Sequence, residues 1–304
     1  MTRSKRRSLI AATLCIAACG LEPPTSPAPA PSGSPSPQPA PDQPAPAPQP
    51  QPQQPQQPGA PTSPFPGYQL AWQDEFDGTS LDVQKWRSWD GPRRDGVSTA
   101  DAITVSGGAL HVRTYTEAGV HKTGFLGTDG RFEPTRGYFE ARIRFSGAPG
   151  HWCAFWLLPP TIGNPRGDPA KAGVETDVAE HRVVDGGGWD LRDYVQVALN
   201  WDGQGAARRN VSKVTTLPGN APVNGAWHVY AVLWTDSAYT FYVDGAQVWS
   251  TNAAVSARSE WLHLTCEVED GGWAGSIPPA GYGTRDTSTT GMDVDWVRVW
   301  QEAP

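Results

Sequence analysis

The chain has 304 residues and a net charge of −7 with both signs interspersed, which disfavours nucleic acid or an acidic polymer as its partner. Of its 31 prolines, 19 lie between Pro23 and Pro66, while all 14 tryptophans fall at or beyond Trp72. The composition therefore excludes a uniformly folded chain and leaves one sizeable core after residue 66.

At the amino terminus Arg3, Lys5, Arg6 and Arg7 precede an apolar stretch over 9–18, too short to cross a bilayer and read as a signal peptide spanning residues 1–18. Ile16-Ala17-Ala18-Cys19 resembles a bacterial lipobox, which would put diacylglycerol on Cys19 and anchor the protein to a membrane outside the cytoplasm; the alternative is an ordinary secretory signal. Residues 19–66 then form a Pro/Ala/Gln/Ser linker. From Pro23 to Pro66 it has no Lys or Arg, and it has too few apolar residues to offset the entropy of ordering. As a polyproline-like stalk it would reach on the order of 130 Å, at about 3.1 Å per residue.

From Gly67 onward short apolar–polar alternations are separated by turn residues. Leu110 and Val112 alternate with His111 and Arg113, and the pattern recurs over 138–145 and 195–199. Strands are also expected over 227–234, 261–268 and 292–300. Residues 239–243 and 247–249 flank Asp244-Gly245, a hairpin signal. No segment keeps helical periodicity for three turns, so the fold class is all-β, a sandwich or barrel. Cys153 and Cys266 are 113 residues apart without a CxxC; they could form a disulfide or remain two buried thiols.

The segment Glu175-Thr-Asp177-Val-Ala-Glu180 carries three carboxylates on a strand. Facing a core they would have to be desolvated together, so a wet cleft is the economical place for them. Period-two alternation puts Glu175 and Asp177 on one face, and a β-bulge would return Glu180 to it. Two carboxyls flanking a bond suit glycoside hydrolysis, one attacking the anomeric carbon and the other protonating the leaving oxygen. On a flat strand the pair would sit about 13 Å apart, so a concave sheet is required. The tryptophans suggest an aromatic sugar-binding groove.

Seven segments in order then resemble glycoside hydrolase family 16, the laminarinase and lichenase family, over roughly residues 68–301. They are Asp74-Glu-Phe-Asp-Gly78, the Gly-Tyr-Phe-Glu-Ala-Arg-Ile stretch at 137–143, Trp152-Cys-Ala-Phe-Trp156, the E-x-D-x-x-E acids, Tyr242-Val-Asp-Gly245, Trp273-Ala-Gly275 and Asp295-Trp-Val-Arg-Val299. The resemblance implies a concanavalin A-like jelly-roll β-sandwich with a concave substrate cleft, a catalytic domain over 67–302, and no required cofactor. It makes Glu175 the nucleophile, Glu180 the general acid/base and Asp177 the residue tuning the pair. It places Trp156, Trp152, Thr265 and Glu267 in the cleft and Asn200 against the substrate. Arg131 would reach towards the nucleophile, while Trp189 and Trp273 would close the cleft's ends. Glu75 and Asp295 match a structural calcium site, although two carboxylates cannot fill a Ca²⁺ shell.

Departures from the family pattern are Cys153, where a proline is usual, and an acidic Glu267, which would repel sulfated or uronic units. His181 is expected to serve packing or the surface. The implied function is a monomeric, retaining endo-hydrolase of β-1,3- or mixed β-1,3/1,4-glucan. The same residues could act on a β-galactan or in transglycosylation, and a non-catalytic lectin is the alternative of another class.

Overall fold

In the computed structural model, which describes residues 61–304, the sequence alternation is used to bury one side of each of two large sheets. Seven strands of the first run in spatial order Ala246–Thr251, Tyr239–Val243, Trp227–Trp234, Gly137–Ser146, Gly291–Glu302, Ala109–Arg113 and Ile103–Ser106. An eighth, Tyr68–Asp74, also pairs with Gly291–Glu302. The second sheet has seven strands in the order Arg209–Thr216, Tyr194–Trp201, Glu175–Arg182, His151–Leu158, Trp261–Val268, Phe125–Gly127 and Arg87–Ser88. The strands within both sheets pair antiparallel. Phe139, Ile143 and Val294 of the first sheet share one core with Phe155, Leu157, Val197 and Leu264 of the second. This is the sandwich the all-β reading expects. The described residues hold a single α-helix, four residues long, Pro169–Ala172.

The four middle strands of the second sheet divide their residues between core and cleft. In His151–Leu158, Cys153, Phe155 and Leu157 point into the core, leaving Trp152, Ala154, Trp156 and Leu158 for the outer, cleft-forming face. Cys153 lies directly opposite Cys266 on the neighbouring strand, and the two are joined by a disulfide within the core. The loop before the acidic strand turns at Gly173 with φ +87, where a Cβ would collide with the Pro159 ring. Only glycine tolerates both constraints at no cost, and two residues later Glu175 opens the strand.

The folded unit starts slightly earlier than the sequence suggests. Phe65, read as the end of the linker, packs edge-on against Tyr138 at 5.2 Å and close to Tyr68 and Tyr242. The expected signal peptide, the expected Cys19 lipidation site and the expected linker up to residue 60 lie outside the described residues.

Candidate active site

The bulge required by the acidic spacing is present. Along Glu175–Arg182 the pairing with the tryptophan strand steps from Trp156↔Asp177 to Phe155↔Ala179, so Val178 is the extra residue. On the other side Asp177 pairs with Ala198 and Glu180 with Gln196, three steps on one strand against two on its neighbour. Val178 and Ala179 are both buried in the core, and the inserted residue restores Glu180 to the face of Glu175 and Asp177. All three carboxyls line one cavity of about 670 Å³ on the outer face of the sheet.

Their surroundings are unequal. Glu175 accepts from Asn200 Nδ2 at 2.9 Å through one oxygen and from Gln204 Nε2 through the other. Burial pushes its carboxyl up, and Gln204, Arg208 and Asn200 pull it back towards the ionised form. Glu180 has one weak partner, Gln196 Nε2 at 3.5 Å. Burial, followed by the neighbouring charge of Glu175, pushes it up to about 8, which keeps it protonated at neutral pH. Asp177 is raised well above the usual range by burial and by the charges of Glu180 and Glu175, and it accepts from Asn200 Nδ2 at 2.8 Å. Glu180 is thus held as a proton donor beside a Glu175 whose two oxygens each accept an amide N–H, an inequality that suits acid–base chemistry on a single bond.

Trp156, Trp152 and Trp273 line the cavity as an aromatic wall, together with Thr265 and Glu267. Trp156 Nε1 donates to Thr265 Oγ1 at 3.1 Å, which fixes the indole on the cleft floor. Trp152 stacks with Trp273 at 5.1 Å, Arg94 lies over Trp152 at 4.9 Å, and Arg182 lies over Trp273 at 3.9 Å. Such cation–π contacts stiffen the wall at the cost of covering part of each ring.

Several expectations are corrected. Glu267 is not a free acidic wall: Arg93 reaches it at 2.7 Å and Arg94 at 2.5 Å, so the repulsion of anionic sugars expected from it is largely cancelled. Asn200 lies beneath the acids, 1% exposed and outside the cleft lining, so it touches carboxylates where substrate contact was expected. Arg131 turns away, donating to the carbonyls of Val83 at 2.7 Å and Asp129 at 3.3 Å, because it sits in a turn whose open carbonyls are nearer than the nucleophile. Trp189 is 76% exposed on a loop outside the lining; Asp185 holds that loop by accepting from the Gly187 and Trp189 amides. Glu75 and Asp295, matched to a calcium site, are each paired with an arginine: Arg298 donates to both oxygens of Glu75 at 2.8 Å, and Arg142 to Asp295 at 2.7 Å. Among the described residues the one cluster with three potential metal ligands is His151, Cys153 and Cys266, whose cysteines are joined. His181 is buried, with Nδ1 against the Tyr194 carbonyl at 2.9 Å, consistent with a packing role.

Sequence reasoning missed Arg93, Arg94, Gln196, Gln204 and Arg208, all of which line the cavity. Four of them come from turns or short edge strands with no periodicity to read. Gln196 alternates like any strand residue.

Comparison with known proteins bears on the family and the fold. A family model described as "Beta-porphyranase A-D, GH16 domain" matches residues 69–302. The chain is 27% identical over 283 residues to glucan endo-1,3-beta-glucosidase A1 of Niallia circulans, covering 80% of this chain but only 39% of that protein. It is 24% identical over 253 residues to beta-porphyranase E of Zobellia galactanivorans, covering 77% of this chain and 87% of the relative. In fold it is similar to the endo-beta-1,3-glucanase of Pyrococcus furiosus, with a TM-score of 0.62, 21% identity and coverage of 78% and 95% of the two chains.

Proposed function

The chain belongs to glycoside hydrolase family 16, and from that premise we propose that it is a retaining endo-hydrolase cutting β-1,3- or mixed β-1,3/1,4-linked glucan with Glu175 and Glu180. The observation that carries this reading is the bulge at Val178, which turns both acids into one cleft, where Glu175 accepts two amide N–H groups and Glu180 keeps its proton at neutral pH.

In the first step a Glu175 oxygen bonds to the anomeric carbon as that carbon's bond to the glycosidic oxygen breaks. The Glu180 proton goes to the departing oxygen. Glu180, now a carboxylate, takes a proton from water, and the hydroxide oxygen displaces Glu175 from the glycosyl ester. Both acids return to their starting states and the product keeps the β configuration. Asp177, its own proton affinity raised by burial and by the charges of Glu180 and Glu175, shares the Asn200 amide with Glu175. Trp156 offers an apolar face on which a pyranose ring can lie.

A β-galactan is the second reading, favoured by the description of the matching family model and by the porphyranase relative. A panel of laminarin, lichenan, agarose, carrageenan and galactan with product sizing decides between them. Mid-sized oligosaccharides released from laminarin or lichenan are expected, with the β-anomer first in an NMR time course. Cleavage confined to the galactans selects the second reading, and binding without cleavage of any selects the lectin.

We further propose that the enzyme works as a monomer outside the cytoplasm, held by lipid on Cys19. The Cys153–Cys266 disulfide supports an oxidising compartment. Labelled fatty acid should enter the wild-type chain and not Cys19→Ala.

A further inference from the structure

Asn200 bridges the two acids through its amide nitrogen, with one N–H towards Glu175 at 2.9 Å and the other towards Asp177 at 2.8 Å. An amide can turn by half a rotation with little change in shape, and the turned form would aim oxygen lone pairs at both carboxylates. Something must forbid that turn. The Asn200 oxygen accepts from Arg208 Nε at 3.0 Å, from Arg208 Nη2, and from Asn210 Nδ2 at 2.6 Å. Asn210 is itself an amide and could follow a turn by presenting its own oxygen. A guanidinium has only donors, so Arg208 is the partner that has no alternative.

We propose that Arg208 is a positioning residue for the nucleophile: by holding the Asn200 carbonyl it fixes the amide that steadies Glu175 beside Asp177. The inference rests on the assignment of Glu175 as nucleophile.

Several observations converge on this role. Arg208 follows a tight turn in which its own N–H meets the Gly205 carbonyl at 2.9 Å, and it immediately precedes the strand Arg209–Thr216. The same turn region supplies Gln204, which holds the other Glu175 oxygen, so one short segment orients the carboxylate from both sides. Among the described residues the Arg208 side chain hydrogen-bonds to Asn200 and forms no ion pair with an acid. Its charge nevertheless favours the ionised forms of all three acids. Removing it both frees the amide and withdraws that charge, and both changes move ionisation of Glu175 to higher pH.

The test compares Arg208→Gln and Arg208→Lys in the full chain, with thermal unfolding to verify folding and with kcat, KM and the pH profile of kcat/KM read on whichever polysaccharide the wild type cuts. Glutamine can present either oxygen or nitrogen to Asn200, whereas lysine offers donors only. Arg208→Gln should lower kcat roughly tenfold, leave KM within about twofold, and move the acidic limb up by about one pH unit. Arg208→Lys should recover most of kcat and most of the limb. Should Arg208→Gln fail to fold, Arg208→Lys with a limb at the wild-type position supports the proposal, and a limb displaced by a full unit overturns it. An unchanged limb in folded Arg208→Gln, a loss confined to KM, or equal defects in both variants overturns it as well. Retained hydrolysis in Glu175→Gln would instead bring down the nucleophile assignment, so the two failures are separable.

Discussion

On the outer face of the eight-stranded sheet, Asp293 is buried among His111 at 2.7 Å, Arg113 at 2.5 Å and Arg144 at 2.6 Å. On the outer face of the seven-stranded sheet, Glu180 has one amide at 3.5 Å and two acidic neighbours. Burial would raise the Asp293 carboxyl, yet His111, Arg144 and Arg113 hold it far below the usual carboxylate range. Burial and the charge of Glu175 raise Glu180 to about 8 against the weaker pull of Arg182 and Arg208. The same sandwich thus neutralises one acid with cations and another with a proton. The first arrangement holds strands Ala109–Arg113, Gly137–Ser146 and Gly291–Glu302 in register; the second leaves a transferable proton at the cleft. Unequal partners, and burial alone in neither case, separate a structural acid from a chemical one.

The sharpest way to break this comparison is to remove the chemistry from the cleft. Glu175→Gln and Glu180→Gln should each lower kcat by about a thousandfold or more while polysaccharide binding survives, measured by initial rates and by affinity electrophoresis. In the wild type, kcat/KM should fall as pH rises through about 8, where Glu180 loses its proton. A basic limb several units higher would contradict that environment.

Stability should respond in opposite directions at the two sites. Asp293→Asn leaves Arg113 and Arg144 without their anion and should cost about 3–5 kcal/mol at neutral pH, read by denaturant unfolding. Because the folded carboxyl is depressed, that contribution is present above the unfolded value near 3.9 and disappears as pH falls through the folded one. Glu180 is raised, so its contribution is fully present below the unfolded value near 4.3 and is lost as pH rises towards 8. Glu180→Gln should therefore melt higher than the wild type at pH 8 to 9, by roughly 2–4 °C for each kcal/mol recovered. A lower melting point there would sink the comparison. The smallest effects belong to residues the cleft does not use: Trp189→Ala and Arg131→Ala should leave kcat/KM within about twofold, and a tenfold loss in either would return that side chain to the substrate.

Much of the molecule is legible in the chain because strand physics is local. Alternation over 138–145 and 261–268 announces strands, and Asp244-Gly245 announces its hairpin. The odd spacing between Asp177 and Glu180 demands a bulge, since a regular strand would send Glu180 into the core. Residues whose role depends on a partner distant in sequence were harder to read. Glu267 looks like an acidic subsite until Arg93 and Arg94, more than 170 positions earlier, close on it. Asn200 looks like a substrate contact until it is seen beneath two carboxylates, and Arg131 like an active-site cation until loop carbonyls claim it.

The sequence by itself determined the strands, the sandwich and which acids share a face, because those follow from side-chain period and from the cost of burying charge. Only the tertiary structure decided which acid is left without a strong partner, which arginines are already committed, and which tryptophans reach the cleft. Hydrogen bonds and ion pairs act over a few ångströms of space, and folding alone brings residues separated by tens or hundreds of positions within that range.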